Sequence, residues 1–593
     1  MGTNPLKRGT SQYIADFETA TNEEILKVHP VWCWAVADVD TVCVIRTGHT
    51  IDEFMEWVSN IDQDSDVYFH NLKFDGEFIV YWLLSHDYKP VEVEQYNQKE
   101  PGNFFTCVIS GTGAWYAIKI HQADGKEFTI KDSLKRIPLK VSAIPKAYGL
   151  DVTKGEIDHN IERGPGYEPT AEEWDYVKRD VLVVAKALAI NDKENMERVT
   201  VGSNALFYYK TTLTKQTDYT SMRRAFFHLF PQLKPEEDDF IRRSYLGGWV
   251  YANPKYKGEM VKAGRVYDVN SMYPGVMKKY AFPYGRPVMS GMGRVPERYL
   301  TDDYIYFQRA MFRAKLKPGA PPTLKIRDSY RYYWNKYIED TGRSPRTGNS
   351  CDPYVTATLS NVDWQLLQEF YDVGVVAYTG YYVFKAKRGL FDDYIDFWTE
   401  QKIKAGKEGN MGLRTIAKLY LNNLYGKFGT NPQRTDKVPY MDEDGKVKYV
   451  TKDSSLDISG YIPVAAMVTS YARREVTMAA YNNFDRFLYA DTDSLHLLGD
   501  YDPVGMVIDP YELGAWDNEA VFTRAKYLGS KCYAEEIEGK WKITVAGMPE
   551  ECKRGLDVEK DFKIGYVAHG KLIPKRYPGG VVLQETSFEL KER

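Results

Sequence analysis

The first 190 residues alternate apolar runs of strand length (VWCWAVADV, TVCVIRT, DVYFHN, FTCVIS, WYAIKI) with amphipathic helical stretches, IDEFMEWVSNI and EEWDYVKRDVLVVAKALAI. That alternation predicts an α/β domain built around a sheet. From about residue 200 the helical periods lengthen and strand-like segments scatter, VYDVNSMYP, LYADTDSLHLL and KWKITVAGM among them. In LRTIAKLYLNNLYG, Leu413, Ile416, Tyr420 and Leu424 form an apolar face and Arg414, Lys418, Asn422 and Tyr425 a polar one, so the segment reads as a helix ended by Gly426. Two stretches, about 281 to 380 and 428 to 460, look irregular and read as insertions. The second carries a turn signal at Asp444-Gly445 between short strand-like arms, which predicts a surface hairpin outside the folding core.

At 593 residues the chain is far beyond a single core, and length suggests roughly three to five domains. The six cysteines form no C-x-x-C pair and no zinc-finger spacing, so they read as reduced structural thiols. No apolar run approaches the roughly 20 residues that span a bilayer. The start, MGTNPLKRGT, has no apolar signal region, and Leu6 spoils a myristoylation pattern, so a cytosolic enzyme is expected. A formal charge of -4 argues against a uniformly basic nucleic-acid binder, although the whole-chain value averages over acidic sites and basic grooves. The 46 tyrosines suit a nucleic-acid channel, because tyrosine stacks on bases and still hydrogen-bonds at its tip.

The candidate chemistry lies in acids at regular spacing. In YIADFETA, Asp16 and Glu18 share one face of a strand, and two adjacent carboxylates call for a cation between them. Asp75 follows the run VYFHN, in a polar setting with His70 and Asn71, and Tyr176 and Asp180 are four apart on a helix. Four carboxylates are then available for hard divalent metal, an arrangement that suits phosphodiester hydrolysis. Tyr176 would orient the attacking water, and Lys154 would neutralise a phosphate. Farther on, Asp268 and Asp493 each follow an apolar strand-like segment and Asp491 adds a third carboxylate, a second cage suited to phosphoryl transfer. Taken singly, each of these patterns is more often a solvated face or a turn.

Taken in order, DFET, HNLKFDG, Y-x-x-x-D, Y-x-G-G (Tyr245, Gly247, Gly248), DVNSMYP, KLYLNNLYG, YADTDS and K-x-Y (Lys531, Tyr533) resemble the protein-primed family B DNA polymerases of the phi29 phage type, over nearly the whole chain. The resemblance implies a multidomain α/β and α+β fold: an RNase H-like exonuclease domain, then a right-hand polymerase of palm, fingers and thumb with two insertions. It places the exonuclease at 1–195, the palm at 196–280 and 461–548, and the fingers at 381–427. The insertions fall at 281–380 (a terminal-protein region) and 428–460 (a hairpin), and the thumb at 549–593.

By the same resemblance, Asp16, Glu18, Asp75 and Asp180 are metal-binding carboxylates of a 3'-5' proofreading exonuclease. Asp268 and Asp493, with the Val269 carbonyl, hold the polymerase metals, Mg2+ or Mn2+, two per active site. Tyr273 stacks under the incoming sugar and excludes a 2'-hydroxyl. Lys418 binds the triphosphate, Asn422 and Tyr425 line the nucleotide, and Lys531 and Tyr533 hold the primer end. His70, Asn71, Phe74, Ser133 and Leu134, with Tyr245, Gly247 and Gly248, match DNA-contacting positions. His159 stands where the family has an aromatic ring, and Met272 and Asn423 replace the commoner Leu and Ser. The implied partners are primer-template DNA, dNTPs and a terminal protein primer, with no membrane, for a monomer in the bacterial host cytoplasm that replicates processively with strand displacement. The alternatives are a repair exonuclease with an inactive, DNA-binding polymerase-like half, or a dead protein that coats DNA. The intact Asp268, Asp493 and Lys418 weigh against both.

Overall fold

The structure, a computed structural model, describes residues 11–61, 65–97, 101–158, 161–326, 337–344, 347–456 and 460–592. Its amino-terminal unit is a sheet of β1 (Gln12–Thr19), β2 (Val31–Asp38), β3 (Cys43–Gly48), β4 (Asp66–Phe69), β5 (Lys89–Pro90), β6 (Phe104–Ile109), β7 (Trp115–His121) and β8 (Glu127–Asp132). The strand order is β3-β2-β1-β4-β8-β7-β6-β5. β1 runs parallel to β4 and antiparallel to β2. Helices α1 (Ile51–Ser59) and α2 (Leu72–Ser85) pack on one face, and α3 (Ala171–Lys193), started by a Thr170/Glu173 capping box, packs on the other. Ala15 and Phe17 enter the core beneath α1 and α2, whereas Ile14 faces α3. Asp16 and Glu18, in step with Ile14, therefore lie on the α3 side of the sheet.

The central unit is built on a sheet in the order β20-β11-β19-β18-β9, formed by β9 (Val250–Ala252), β11 (Gly264–Val269), β18 (Phe487–Asp491), β19 (Ser494–Leu498) and β20 (Trp516–Phe522). The segment VYDVNSMYP is not one strand: β11 stops at Val269, Ser271 turns with φ 53°, and helix α4 (Met272–Lys279) begins. LYADTDSLHLL likewise splits into the β18–β19 hairpin around Thr492, whose φ is 63°. A smaller sheet, β10 (Met260–Val261), β21 (Arg524–Gly529), β22 (Cys532–Ile537) and β23 (Lys540–Val545), adjoins it.

The stretch from 281 to 380 is not irregular. It forms an antiparallel sheet, β12-β15-β13-β14, from β12 (Phe282–Gly291), β13 (Tyr304–Leu316), β14 (Val355–Ser360) and β15 (Tyr371–Lys387), with helix α5 (Asn361–Phe370) packed against it. β13 alternates between buried and exposed residues along much of its length, but its partner β15 is distant in the chain, so local reading missed the pairing.

Helices α6 (Asp392–Lys407) and α7 (Met411–Phe428) form an antiparallel pair. α7 does not end at Gly426: it runs to Phe428, because that ring is buried in the main core, and Gly429 caps it. Helix α8 (Ile462–Asn482) is buried along most of its length.

The predicted hairpin is present as β16 (Gln433–Met441) and β17 (Val447–Leu456), turning at Gly445 with φ 74°. It is not outside the core, however. Val447 is buried in the amino-terminal cluster, and the Tyr449 ring stands edge-on to Trp115 at 5.9 Å. The last hairpin, β24 (Val567–Tyr577) and β25 (Gly580–Glu589), also reaches that unit through Tyr577, Val581 and Val582. Among the described residues no helix is long and apolar enough to cross a membrane.

Candidate active sites

The first site is a cleft of about 220 Å³ between β1, α2 and α3, lined by Asp16, Glu18, His70, Asn71, Phe74, Asp75, Lys154, Tyr176 and Asp180. The sequence motifs therefore converge although more than 160 residues separate Asp16 from Asp180. The carboxyl groups crowd one another. Burial, then Asp75, Glu18 and Asp180, pushes Asp16 well above the usual carboxylate range. Burial and Asp180 push Glu18 up to about 8, and burial pushes Asp75 up to about 7. Against this stands one cation, Lys154, whose Nζ donates to Asp180 Oδ2 at 2.5 Å and lies 5.1 Å from the Tyr176 ring centre. Burial opposes the charge of Lys154, but Asp180 holds its pKa above that of a free lysine.

The rim is preorganised by a residue that sequence reasoning missed. Asp132, 2% exposed at the end of β8, accepts from the backbone N–H groups of Asn71 (3.1 Å), Leu72 (3.4 Å) and Leu134 (3.0 Å). It thereby caps α2, which carries Asp75 in its first turn, while Asn71 adopts φ 76°. The sequence signal was an Asp-Ser step closing an apolar strand, FTIKDS. His70 is fixed at both ring nitrogens, Nδ1 to Ser133 Oγ (3.0 Å) and Nε2 to the Leu139 carbonyl (2.7 Å). Ser133 is fully buried, so it reaches the cleft only through His70. Leu134 is half-buried beside it, and His159 lies outside the described residues.

The second site is a cleft of about 390 Å³ lined by Asp268, Asp491, Thr492, Asp493, Ser494 and His496, with Glu519, Lys531, Tyr533, Glu535 and Lys542 opposite. β11 places Asp268 directly across from Ser494, and the Val269 N–H donates to the Asp493 carbonyl at 2.9 Å, tying the two acidic strand ends together. Burial, Asp493 and Glu519 raise Asp268 to about 7, and burial and Asp491 raise Asp493. Lys531 Nζ pairs with both Asp491 oxygens, at 2.9 and 2.8 Å, and its backbone N–H donates to the Tyr489 hydroxyl at 2.9 Å. Gly248 is required sterically: a Cβ there would lie 2.7 Å from the Thr492 side chain at the turn between the two acids. Tyr245 packs on Gly429, where a Cβ would sit 2.9 Å from its ring.

Tyr273 on α4 and Tyr425 on α7 meet with ring centres 4.2 Å apart. Lys418, exposed on α7, is near enough to Asp268 to lower its pKa, opposing the acids around it. Asn422 is half-buried one turn farther along α7.

Sequence reasoning missed Asp517 and Glu519. Asp517 pairs with Asp268 across β20, and the D-x-E spacing of WDNE is the same signal that marked Asp16 and Glu18. Also missed was the buried pair behind the site, His496 Nδ1 to Glu535 Oε1 at 2.6 Å, with Tyr527 OH donating to the same oxygen at 2.9 Å.

Oxygen-rich, electrostatically strained donor sets of this kind fit hard divalent cations. Among the described residues, however, no three such side chains are already drawn into a metal shell. Closing one would take rotation of carboxylates that now repel.

Residues 59–506 match the family model of DNA polymerase type B, organellar and viral. The DNA polymerases of Bacillus phage Nf and Bacillus phage phi29 are each 36% identical to this chain, over 98% of it and 99% of the phage protein. The phi29 DNA polymerase complexed with primer-template DNA and incoming nucleotide substrates superposes with a TM-score of 0.86 at 34% identity, covering 98% of this chain and 100% of that one.

Proposed function

The chain belongs to the organellar and viral type B DNA polymerases, as a DNA-directed DNA polymerase of the protein-primed phi29 phage kind, and from that premise we propose that its two acidic clefts are a polymerase centre and a 3'-5' proofreading centre. The observation that carries this reading is the pairing of two separate carboxylate clefts, each strained by burial and like charge and each faced by a lysine, Lys154 in one and Lys531 in the other. The domain assignment follows: exonuclease 1–195, palm 196–280 and 461–548, insertions 281–380 and 428–460, fingers 381–427, thumb 549–593.

Divalent cations, Mg2+ or Mn2+, two per site, supply Lewis acidity and offset the developing charge in phosphoryl transfer when bound. Asp16, Glu18, Asp75 and Asp180 would hold them in the first cleft, and Asp268, Asp493 and the Val269 carbonyl in the second, with Asp491 beside them. In the first cleft Tyr176 orients the attacking water and Lys154 screens the scissile phosphate. Phe74 stacks on the frayed strand, which suits any base. His70 and Asn71, held by Ser133 and Asp132, grip its end, and Leu134 packs beside them.

In the second cleft Lys418 binds the triphosphate, while Tyr273 and Tyr425, already in ring contact, line the sugar and nascent base pair with Asn422. Lys531 and Tyr533 hold the primer terminus. Tyr245, Gly247 and Gly248 form the loop that contacts the template strand between the two centres. A terminal protein as primer, processive strand displacement, a monomeric state and replication in the host cytoplasm complete the proposal.

The test is one labelled primer-template assayed for extension and for end digestion. Asp16→Ala with Glu18→Ala should lose digestion by several orders of magnitude and keep extension, and Asp493→Asn should do the reverse. Equal loss of both activities in either variant would sink the two-centre reading.

A further inference from the structure

We infer that Glu77, Tyr449 and Arg576 form a clasp that fastens the inserted hairpin and the thumb hairpin to the exonuclease unit, and that opening this clasp is the step by which the enzyme admits and releases DNA that has no ends. The inference rests on the proposed reading of the chain as a processive polymerase. Its footing is a junction of three segments distant in sequence. Glu77 lies on α2, 3% exposed, two residues beyond Asp75 and so on the far side of the helix from the cleft. Its Oε2 accepts from the Tyr449 hydroxyl at 3.1 Å and from Arg576 Nε at 3.0 Å, and its Oε1 accepts from a terminal nitrogen of Arg576. The guanidinium also sits 5.1 Å from the Tyr449 ring centre. One carboxylate of the exonuclease unit thus holds β17 and β24 together.

The hairpin turns meet beside it. A Cβ on Gly445 would lie 3.6 Å from Pro578 Cγ and 3.8 Å from its Cβ. The next residue, Gly579, turns with φ 101° so close beneath α2 that a Cβ would come within 2.4 Å of the Leu26 carbonyl oxygen. Both hairpins spring from the polymerase half, after Phe428 and before the carboxyl terminus, and both return to the exonuclease half. The chain therefore closes on itself twice, through contacts that are not covalent. A buried ion pair is a poor device for stability alone, since apolar side chains of the same volume do as well. It is suited to a joint that must seat in one register and still part. Tyr449 and Arg576 are on this view positioning residues for DNA retention, remote from both centres of chemistry.

The separation at the hairpin turns is within the range for a disulfide, whose Cβ atoms stand about 3.5–4.5 Å apart. The experiment uses the full chain carrying Gly445→Cys and Pro578→Cys, with the parent protein, which retains its exposed Cys43, oxidised in parallel. Oxidised after binding a primed single-stranded circle, the double-cysteine enzyme should stay with the circle through detergent, and leave when the circle is cut or reductant is added. Oxidised beforehand, it should fail to extend the primed circle and still extend a short linear primer-template at the parent rate, because linear DNA can thread. A second variant cuts the clasp without a crosslink: Arg576→Met with Glu77→Met should shorten the product made per binding event, with trap DNA present, by about tenfold or more, as expected when a buried charge pair that slows dissociation is lost. Single-nucleotide addition should stay within about twofold, since neither residue touches the chemistry. Pre-oxidised enzyme that loads circles as fast as the reduced form, or unshortened products from the methionine variant, would overturn the clasp. Loss of extension on the linear substrate in the reduced parent would instead overturn the polymerase reading beneath it.

Discussion

Arg473 carries the sharpest stability prediction, because one buried side chain joins three parts of the molecule. On α8, and 4% exposed, it pairs with Asp363 of α5 through Nε (3.0 Å to Oδ1) and a terminal nitrogen (2.8 Å to Oδ1, 2.7 Å to Oδ2). Its other terminal nitrogen donates to the carbonyls of Leu246 (2.8 Å) and Gly247 (2.9 Å), within the Y-x-G-G loop. Arg473→Met keeps the volume and removes every donor. Asp363 would then be a buried carboxylate held only by the hydroxyls of Ser360 and Ser470. Breaking a buried pair on one side costs about 3–5 kcal/mol. Adding Asp363→Leu removes the stranded charge and should return most of that, leaving about 1–3 kcal/mol for the two carbonyls that lost a donor. The assay is hydrogen exchange with peptide resolution over 242–250 and 355–370, since a chain of several domains need not unfold in one step. In the single variant exchange over both peptides should quicken roughly a hundredfold. The double variant should restore protection to 355–370 and leave 242–250 fast, with a raised KM for primer-template and an unchanged kcat. Full recovery of both peptides and of KM in the double variant would refute the view that Arg473 anchors the loop.

Two further outcomes follow from contacts already described. Lys531→Met should change overall stability by no more than about 1 kcal/mol, because its pairing with Asp491 is half exposed, yet raise KM for primer-template on the order of tenfold through loss of a charge-assisted contact; an unaltered KM in steady-state extension would count against its place at the primer end. Replacing 430–459 by a short glycine linker should lower the stability of the amino-terminal unit by about 2–5 kcal/mol, since Val447 and Tyr449 leave its core, and should shorten products on a primed circle with trap DNA; an unchanged melting temperature would show that the hairpin docks without energetic consequence.

How far the residues announced all this depends on distance along the chain. Asp16 and Glu18 could be placed on one face from spacing alone, because a strand's period of two is local, and the structure keeps them on the α3 side of β1 with Ile14. The same rule applied to WDNE would have found Asp517 and Glu519, so that omission was one of attention and not of information. The sheet between 281 and 380 was different. β13 shows much of the alternation of a strand, but what makes it a strand is β15, which begins more than fifty residues later, and nothing within β13 names that partner. Gly426 misled for the converse reason: a local breaker was overridden by Phe428, whose burial is a property of the assembled core. The hairpin at 433–456 shows both cases at once. Its turn chemistry was readable at Asp444-Gly445, while its docking on Glu77 spans 372 residues and depends on a single hydroxyl. Catalytic carboxylates have to sit on rigid, periodic elements, so they leave regular marks in a sequence. A contact that closes a molecule on itself needs only one residue from each side, and no periodicity betrays it.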